Sequence, residues 1–95
     1  MNKKELQEYL KWDVMSWKKA LLFWDDNIPN KKPGKILEIG AGNGGLSLFF
    51  AKKNYNVICS DIEFPGTSAV DLHQKHRVHK NITYKKLSAV KIPYP

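Results

Sequence analysis

The run Ile36-Leu37-Glu38-Ile39-Gly40-Ala41-Gly42-Asn43-Gly44-Gly45-Leu46-Ser47-Leu48-Phe49-Phe50 sets four glycines in six positions between two apolar blocks. The first block, Lys35 to Ile39, is short and bounded by glycine at both ends, which suits a buried strand of a parallel sheet. The second reads as a helix ending near Lys52-Lys53-Asn54. Lysines there suit the negative end of the helix dipole, and Asn54 can take the left-handed conformation at the stop. A strand that passes through bare backbone straight into a helix holds this chain to a sheet-and-helix fold.

The rest of the chain continues the alternation. From Lys4 to Trp24 the residues Leu6, Leu10, Val14, Trp17, Leu21 and Trp24 recur at the helical period, as one long helix or as two with Asp13 capping the second. Asp25 to Gly34, with Asn, two prolines and a glycine, has a loop signature. Asn56 to Ser60 is a second strand ending at Asp61, and Glu63-Phe64-Pro65-Gly66 turns the chain. Thr67 or Ser68 then caps a helix to about His76, with Asp71 as capping-box acid for Ser68. Asn81 to Lys86 is a third strand, and Leu87 to Pro95 a loop with a proline exit. Such alternation predicts an α/β fold with a parallel sheet, whose ligands bind at the carboxyl ends of the strands.

Length and composition fit one small domain or part of a larger one: 95 residues, 42% hydrophobic and 26% charged. The single cysteine, Cys59, lies in an apolar run and reads as core. No leader pattern opens the chain, and no apolar stretch approaches the roughly 18 residues of a membrane span, so a cytoplasmic protein with no membrane association is expected. The net charge of +7 is spread in lysine pairs, from Lys3-Lys4 to Lys85-Lys86. That spread favours solvated faces and attraction to an anionic substrate over a nucleic-acid track.

Two ligands fit the glycine run by spacing. Gly40, Gly42 and Gly45 satisfy G-x-G-x-x-G, and Asp61 follows at about the 20-residue distance of a ribose-binding acid, as in dinucleotide domains. Glu38, Gly40, Gly42 and Gly44 equally satisfy acid-x-G-x-G-x-G. Charge tilts the choice. A pyrophosphate at the helix N-terminus would be opposed by Glu38, whereas a cofactor carrying an ammonium and a sulfonium gains from it.

Glu38-Ile39-Gly40-Ala41-Gly42-Asn43-Gly44 resembles the first motif of the class I S-adenosylmethionine-dependent methyltransferases, and Val57-Ile58-Cys59-Ser60-Asp61 resembles their second strand with its terminal acid. The helical stretch ahead of the first strand also suits that family. The resemblance spans about Lys35 to Pro95, with its specific part between Glu38 and Asp61. It implies a Rossmann-like sheet in order 3-2-1 with helices on both faces, preceded by an N-terminal helical extension. Residues 1–30 would be a helical cap and residues 31–95 the first half of the methyltransferase domain. S-adenosylmethionine would be the cofactor: Gly40, Ala41, Gly42, Asn43 and Gly44 would line its methionine part, with Glu38 shaping that pocket. Asp61 would hold the ribose hydroxyls, Ile62 would pack on the adenine, and Ser88 is the nearest match to the polar residue that meets the adenine amino group.

The resemblance further implies that acceptor-binding residues and any base follow a fourth strand, and the chain stops at Pro95, where that strand should begin. The expectation is therefore an incomplete domain, inactive alone, whose sheet is completed by a missing C-terminal part or by another chain. No catalytic residue is assigned, and a small molecule or saccharide is favoured as acceptor over nucleic acid. The rivals are an NAD(P)-dependent oxidoreductase and a non-catalytic Rossmann-like interaction module.

Two further clusters are expected to be structural. His73, His76 and His79 are spaced by three, which drifts round a helix, and lie among Lys75, Arg77 and Lys80, so they read as a solvated helix end and no metal is assigned. Trp17, Phe23 and Trp24 read mainly as core. Tyr9 and Trp12 fall outside the main stripe and stand as candidates for a lid or substrate contact.

Overall fold

The computed structural model describes residues 1–11, 14–28, 34–63, 66–88 and 90. The elements are α1 (Lys3–Tyr9), α2 (Val14–Asn27), β1 (Lys35–Glu38), α3 (Gly45–Lys52), β2 (Asn56–Asp61), α4 (Thr67–Lys75), a 3-10 turn (His79–Asn81) and β3 (Ile82–Lys86). The N-terminal stretch is thus two helices. Asn2 caps α1: its Oδ1 accepts from Glu5 N at 2.8 Å, and Glu5 Oε1 accepts from Asn2 N at 3.2 Å, a reciprocal capping box. Asp13, the expected cap of α2, lies outside the described residues.

Local chemistry moves two expected boundaries. Asp25 to Asn27, expected in a loop, form the last turn of α2. Asn27 Nδ2 donates to the Phe23 carbonyl at 2.8 Å, and Asp25 pairs with Lys53 Nζ at 3.2 Å, so both side chains reward the helical conformation. The expected Ser68–Asp71 capping box does not form; Gly66 holds the N-cap of α4, with no side-chain cap bond. Asn54 does take the left-handed conformation after α3, at φ 69°.

β2 lies between β1 and β3, both pairings parallel. These are the neighbours that the order 3-2-1 requires, counted from the other edge. Glu38, Cys59 and Tyr84 are register partners and so share one face. On that face Glu38 meets Ser47 of α3 and Tyr84 stacks on His73 of α4, so both helices cover the same side. α1 and α2 pack outside them through Leu6, Leu10 and Leu21, which share a core with Leu48 and Phe49. α1 and α2 are therefore fused to the rest by a common core. A second cluster, Val57, Cys59, Ile82, Ala51 and Tyr55, lies between α3 and the sheet. Phe50 packs against both clusters.

The expectation of helices on both faces is corrected here. Every described helix lies on one side, and the opposite face is open, with Lys35, Ile58, Thr83 and Lys85 around a shallow hollow. The reason is topological. A right-handed β-α-β crossover puts its helix on a side fixed by the direction of travel across the sheet, and β1 to β2 to β3 never reverses direction. Helices reach a second face only after the strand order turns back.

Candidate functional site

The four glycines occupy the mouth of β1 and serve two different purposes. Gly40, Gly42 and Gly44 all have positive φ, at 70°, 56° and 77°. A side chain at Gly40 or Gly42 would meet nothing within 4 Å, so these two positions present bare backbone to open space. At Gly44 an added carbon would lie 2.8 Å from the His73 ring and 2.9 Å from Ala69, and at Gly45 it would strike the Tyr9 carbonyl. Gly44 and Gly45 are glycines because α4 and the end of α1 press against them. Of the glycines expected to line a ligand, Gly40 and Gly42 have that freedom, while Gly44 is turned into the packing.

The loop is fixed from its own backbone and from β2. Ala41 N donates to the Ser60 carbonyl at 2.9 Å, Gly44 N to the Ala41 carbonyl at 2.9 Å, and Ser60 Oγ to the Glu38 carbonyl at 2.6 Å. Asp61 closes the other side: its Oδ2 accepts from Gly42 N at 3.0 Å and its Oδ1 from Ile62 N at 2.8 Å. A carboxylate has about four acceptor positions, so roughly two remain for a ligand, enough for a vicinal diol. Next to it Ile62 is 68% exposed, a large apolar side chain held in solvent beside polar groups. Leu87 N donates to the Asp61 carbonyl at 2.9 Å, which brings Ser88 to the same end of the sheet, where its Oγ accepts from Val90 N at 3.2 Å. Glu38, Gly40, Ala41, Gly42, Asn43, Asp61, Ile62 and Ser88 thus gather at the carboxyl ends of the strands.

Glu38 decides what charge this end can accept. Its Oε1 accepts from Ser47 Oγ at 2.5 Å. Ser47 stands in the first turn of α3, so Glu38 occupies the position where a helix N-terminus ordinarily receives an external anion. Burial pushes the Glu38 carboxyl above its usual range; Ser47 pulls it down and Asp61 raises it further. A phosphate arriving here would meet a second anion. A cation would relieve the strain on both carboxylates.

One buried residue that ties the loop down was misread in the sequence. His73 was expected on a solvated helix end; it is fully buried. Its Nε2 lies 2.8 Å from the Gly44 carbonyl and its Nδ1 2.6 Å from Tyr84 Oη. A carbonyl can only accept, so Nε2 carries a proton; burial favours the neutral ring, in which Nδ1 accepts from the Tyr84 hydroxyl. Burial depresses its pKa, against a smaller upward pull from the Gly44 carbonyl. The same burial pushes the Tyr84 hydroxyl up to about 12 and the Cys59 thiol up to about 11. The signal for His73 was present in the pattern Ala69, Leu72, His73, His76, an i, i+3, i+4, i+7 stripe on α4.

The other expected positions divide. Tyr9, set down as a lid or substrate contact, is buried at 4% exposure and packs edge-on against Phe49 at 5.5 Å, because the end of α1 presses on Gly45. Trp12 lies outside the described residues. Trp24 packs on Phe50 at 6.0 Å, whereas Trp17, 6.4 Å from Trp24, and Phe23 are exposed, against the core reading. His76 bonds Glu8 at 2.9 Å, joined by Lys75 at 3.1 Å, which ties α4 to α1. That contact lowers the Glu8 carboxyl, chiefly through His76. Among the described residues no group of three His, Cys, Asp or Glu side chains is placed to hold a metal ion, and no helix is long and apolar enough to cross a membrane.

No protein-family model, curated protein or solved structure matches this chain.

Proposed function

We propose that the chain binds S-adenosylmethionine on the Gly40–Asn43 loop and belongs to an enzyme that transfers its methyl group to an acceptor. The sheet would be the first half of a Rossmann-like domain. The observation that carries the reading is Glu38, a carboxylate already in the anion position at the start of α3, beside two glycines that leave their backbone open. That arrangement suits a ligand with a cationic amino-acid end and disfavours the pyrophosphate of NAD(P). Asp61 would hold the ribose hydroxyls through its spare acceptor positions, Ile62 would cover the adenine, and Ser88 would meet its edge.

The cofactor supplies a methyl on a sulfonium, displaced in line by the acceptor with a neutral thioether leaving. The residues of this chain bind and orient it: Glu38 balances positive charge, the bare backbone at Gly40 and Gly42 lets the amino-acid end approach closely, and Asp61 and Ile62 fix the nucleoside. Positioning of this kind is a large part of what such a displacement needs. Glu38→Gln tests the reading because Gln can still accept from Ser47 while removing the charge. Calorimetric titration should show S-adenosylmethionine binding to the parent chain and about tenfold or more weaker binding to Glu38→Gln, the usual scale of one charge-assisted contact. Binding of NAD in preference to S-adenosylmethionine overturns the reading.

We further propose that the free edge of β1 pairs with an additional strand, supplied by a longer form of the protein or by a partner chain. Among the described residues β1 has a neighbour on one side only.

A further inference from the structure

The turn from Ala41 to Gly44, which presents the open backbone of Gly42, does not hold its shape by itself. Inside it the Asn43 Oδ1 is shut off from solvent and is without a hydrogen-bond partner. A buried acceptor left unpaired is unfavourable, so contacts from outside the turn keep it there. Two come from β2: Ala41 N donates to the Ser60 carbonyl and Gly42 N to Asp61 Oδ2. The third comes from α4. The Gly44 carbonyl accepts from Leu48 N at 3.0 Å, the first bond of α3, and from His73 Nε2 at 2.8 Å, so both of its lone pairs are taken. His73 is in turn oriented by Tyr84 of β3, whose Oη lies 2.6 Å from Nδ1 and whose ring stacks on the imidazole at 22°. The imidazole is fully buried, out of reach of anything bound on the loop.

We propose that His73, oriented by Tyr84, is a positioning residue for ligand binding at the loop: it acts through Gly44 to keep the turn in the shape that leaves Gly42 open. The contact between α4 and β3 thereby sets affinity at a place that it does not touch. The coupling is reciprocal, so a ligand that settles the turn also settles the imidazole. Naming S-adenosylmethionine as that ligand rests on the reading above, whereas the control of the turn does not.

Variants of the full chain separate the bond from the bulk. His73→Leu keeps an apolar filling and removes the donor, His73→Gln keeps an amide N–H for the Gly44 carbonyl, and Tyr84→Phe keeps the ring and removes the hydroxyl. Without ligand, amide hydrogen exchange at Gly42, relative to Cys59 in the middle of β2, should quicken by about threefold to tenfold in His73→Leu and Tyr84→Phe, the scale of one hydrogen bond, and stay near the parent in His73→Gln. Affinity for S-adenosylmethionine should fall by a similar factor in the same two variants and hold in His73→Gln. In the parent the His73 imidazole nitrogen resonances should move on binding. The proposal is overturned if Gly42 does not quicken relative to Cys59, if His73→Gln behaves as His73→Leu does, or if a parent that binds S-adenosylmethionine loses no affinity in Tyr84→Phe. A parent that does not bind S-adenosylmethionine sinks the cofactor reading alone, and exchange at Gly42 then decides the positioning role. Should His73→Leu fail to fold, Tyr84→Phe carries the same comparison with the buried imidazole intact.

Discussion

At the scale of single residues, the glycine loop separates two demands that a sequence pattern merges. Gly42 and Gly44 share a left-handed backbone, yet one faces open space and the other faces His73 and Ala69. Gly42→Ala should therefore cost only the backbone term, about 1–2 kcal/mol, and leave the fold intact. Gly44→Ala adds overlap with His73 and should cost about 1–3 kcal/mol more, by urea denaturation. If the two variants unfold at the same urea concentration, the packing role of Gly44 is wrong. The glycine motif itself was fully legible in the sequence, and so were Glu38 and Asp61 at its two ends. Which glycine answered to a ligand and which to a helix was not legible, because that depends on α1 and α4, contributed by residues far from the loop in sequence. Asn43 was expected among the loop residues, but its shut-off oxygen depends on packing that spacing does not show.

At the scale of elements, His73 joins α4 to β3 and to the loop through its two ring nitrogens. Its pKa is depressed by burial, so the unfolded chain takes up the proton first as pH falls. Stability should be full above the ordinary histidine value near 6.5 and decline as pH drops from there through the lowered folded value. The charged groups around it do not reverse this: His76, at the C-cap of α4, adds repulsion, and Glu8 is taken up by His76 and Lys75. Urea midpoints at pH 5 and pH 8 should differ in the parent chain, and this part of the difference should vanish in His73→Gln. The reverse sign in the parent, with greater stability at pH 5, would show that carboxyl groups such as the raised Glu38 dominate instead. Element order and most boundaries followed from apolar periodicity alone. The cap of α4 and the end of α2 did not, because Gly66 displaced the expected side-chain cap and Asp25 found its partner Lys53 on another element. His73 was misjudged by weighing its charged neighbours in sequence above its place on the apolar stripe.

At the scale of the whole molecule, the sheet order was legible and the layering was not. The order β1-β2-β3 and right-handed crossovers together place α3 and α4 on one side, a step of geometry that alternation of strands and helices does not by itself include. The free edge of β1 carries the remaining prediction. In sedimentation velocity the 95-residue chain should associate increasingly with concentration, and it should show no methyl transfer alone. A monodisperse monomer that methylates an acceptor overturns the proposal that β1 needs another strand. The open face has a different consequence. Two such faces brought together would set Lys35 and Lys85 of one copy against the same residues of the other, and so resist the dry contact by which sheets stack into fibrils. Growth by edge pairing is then confined to a ribbon one sheet thick, solvated along the side that has no helices.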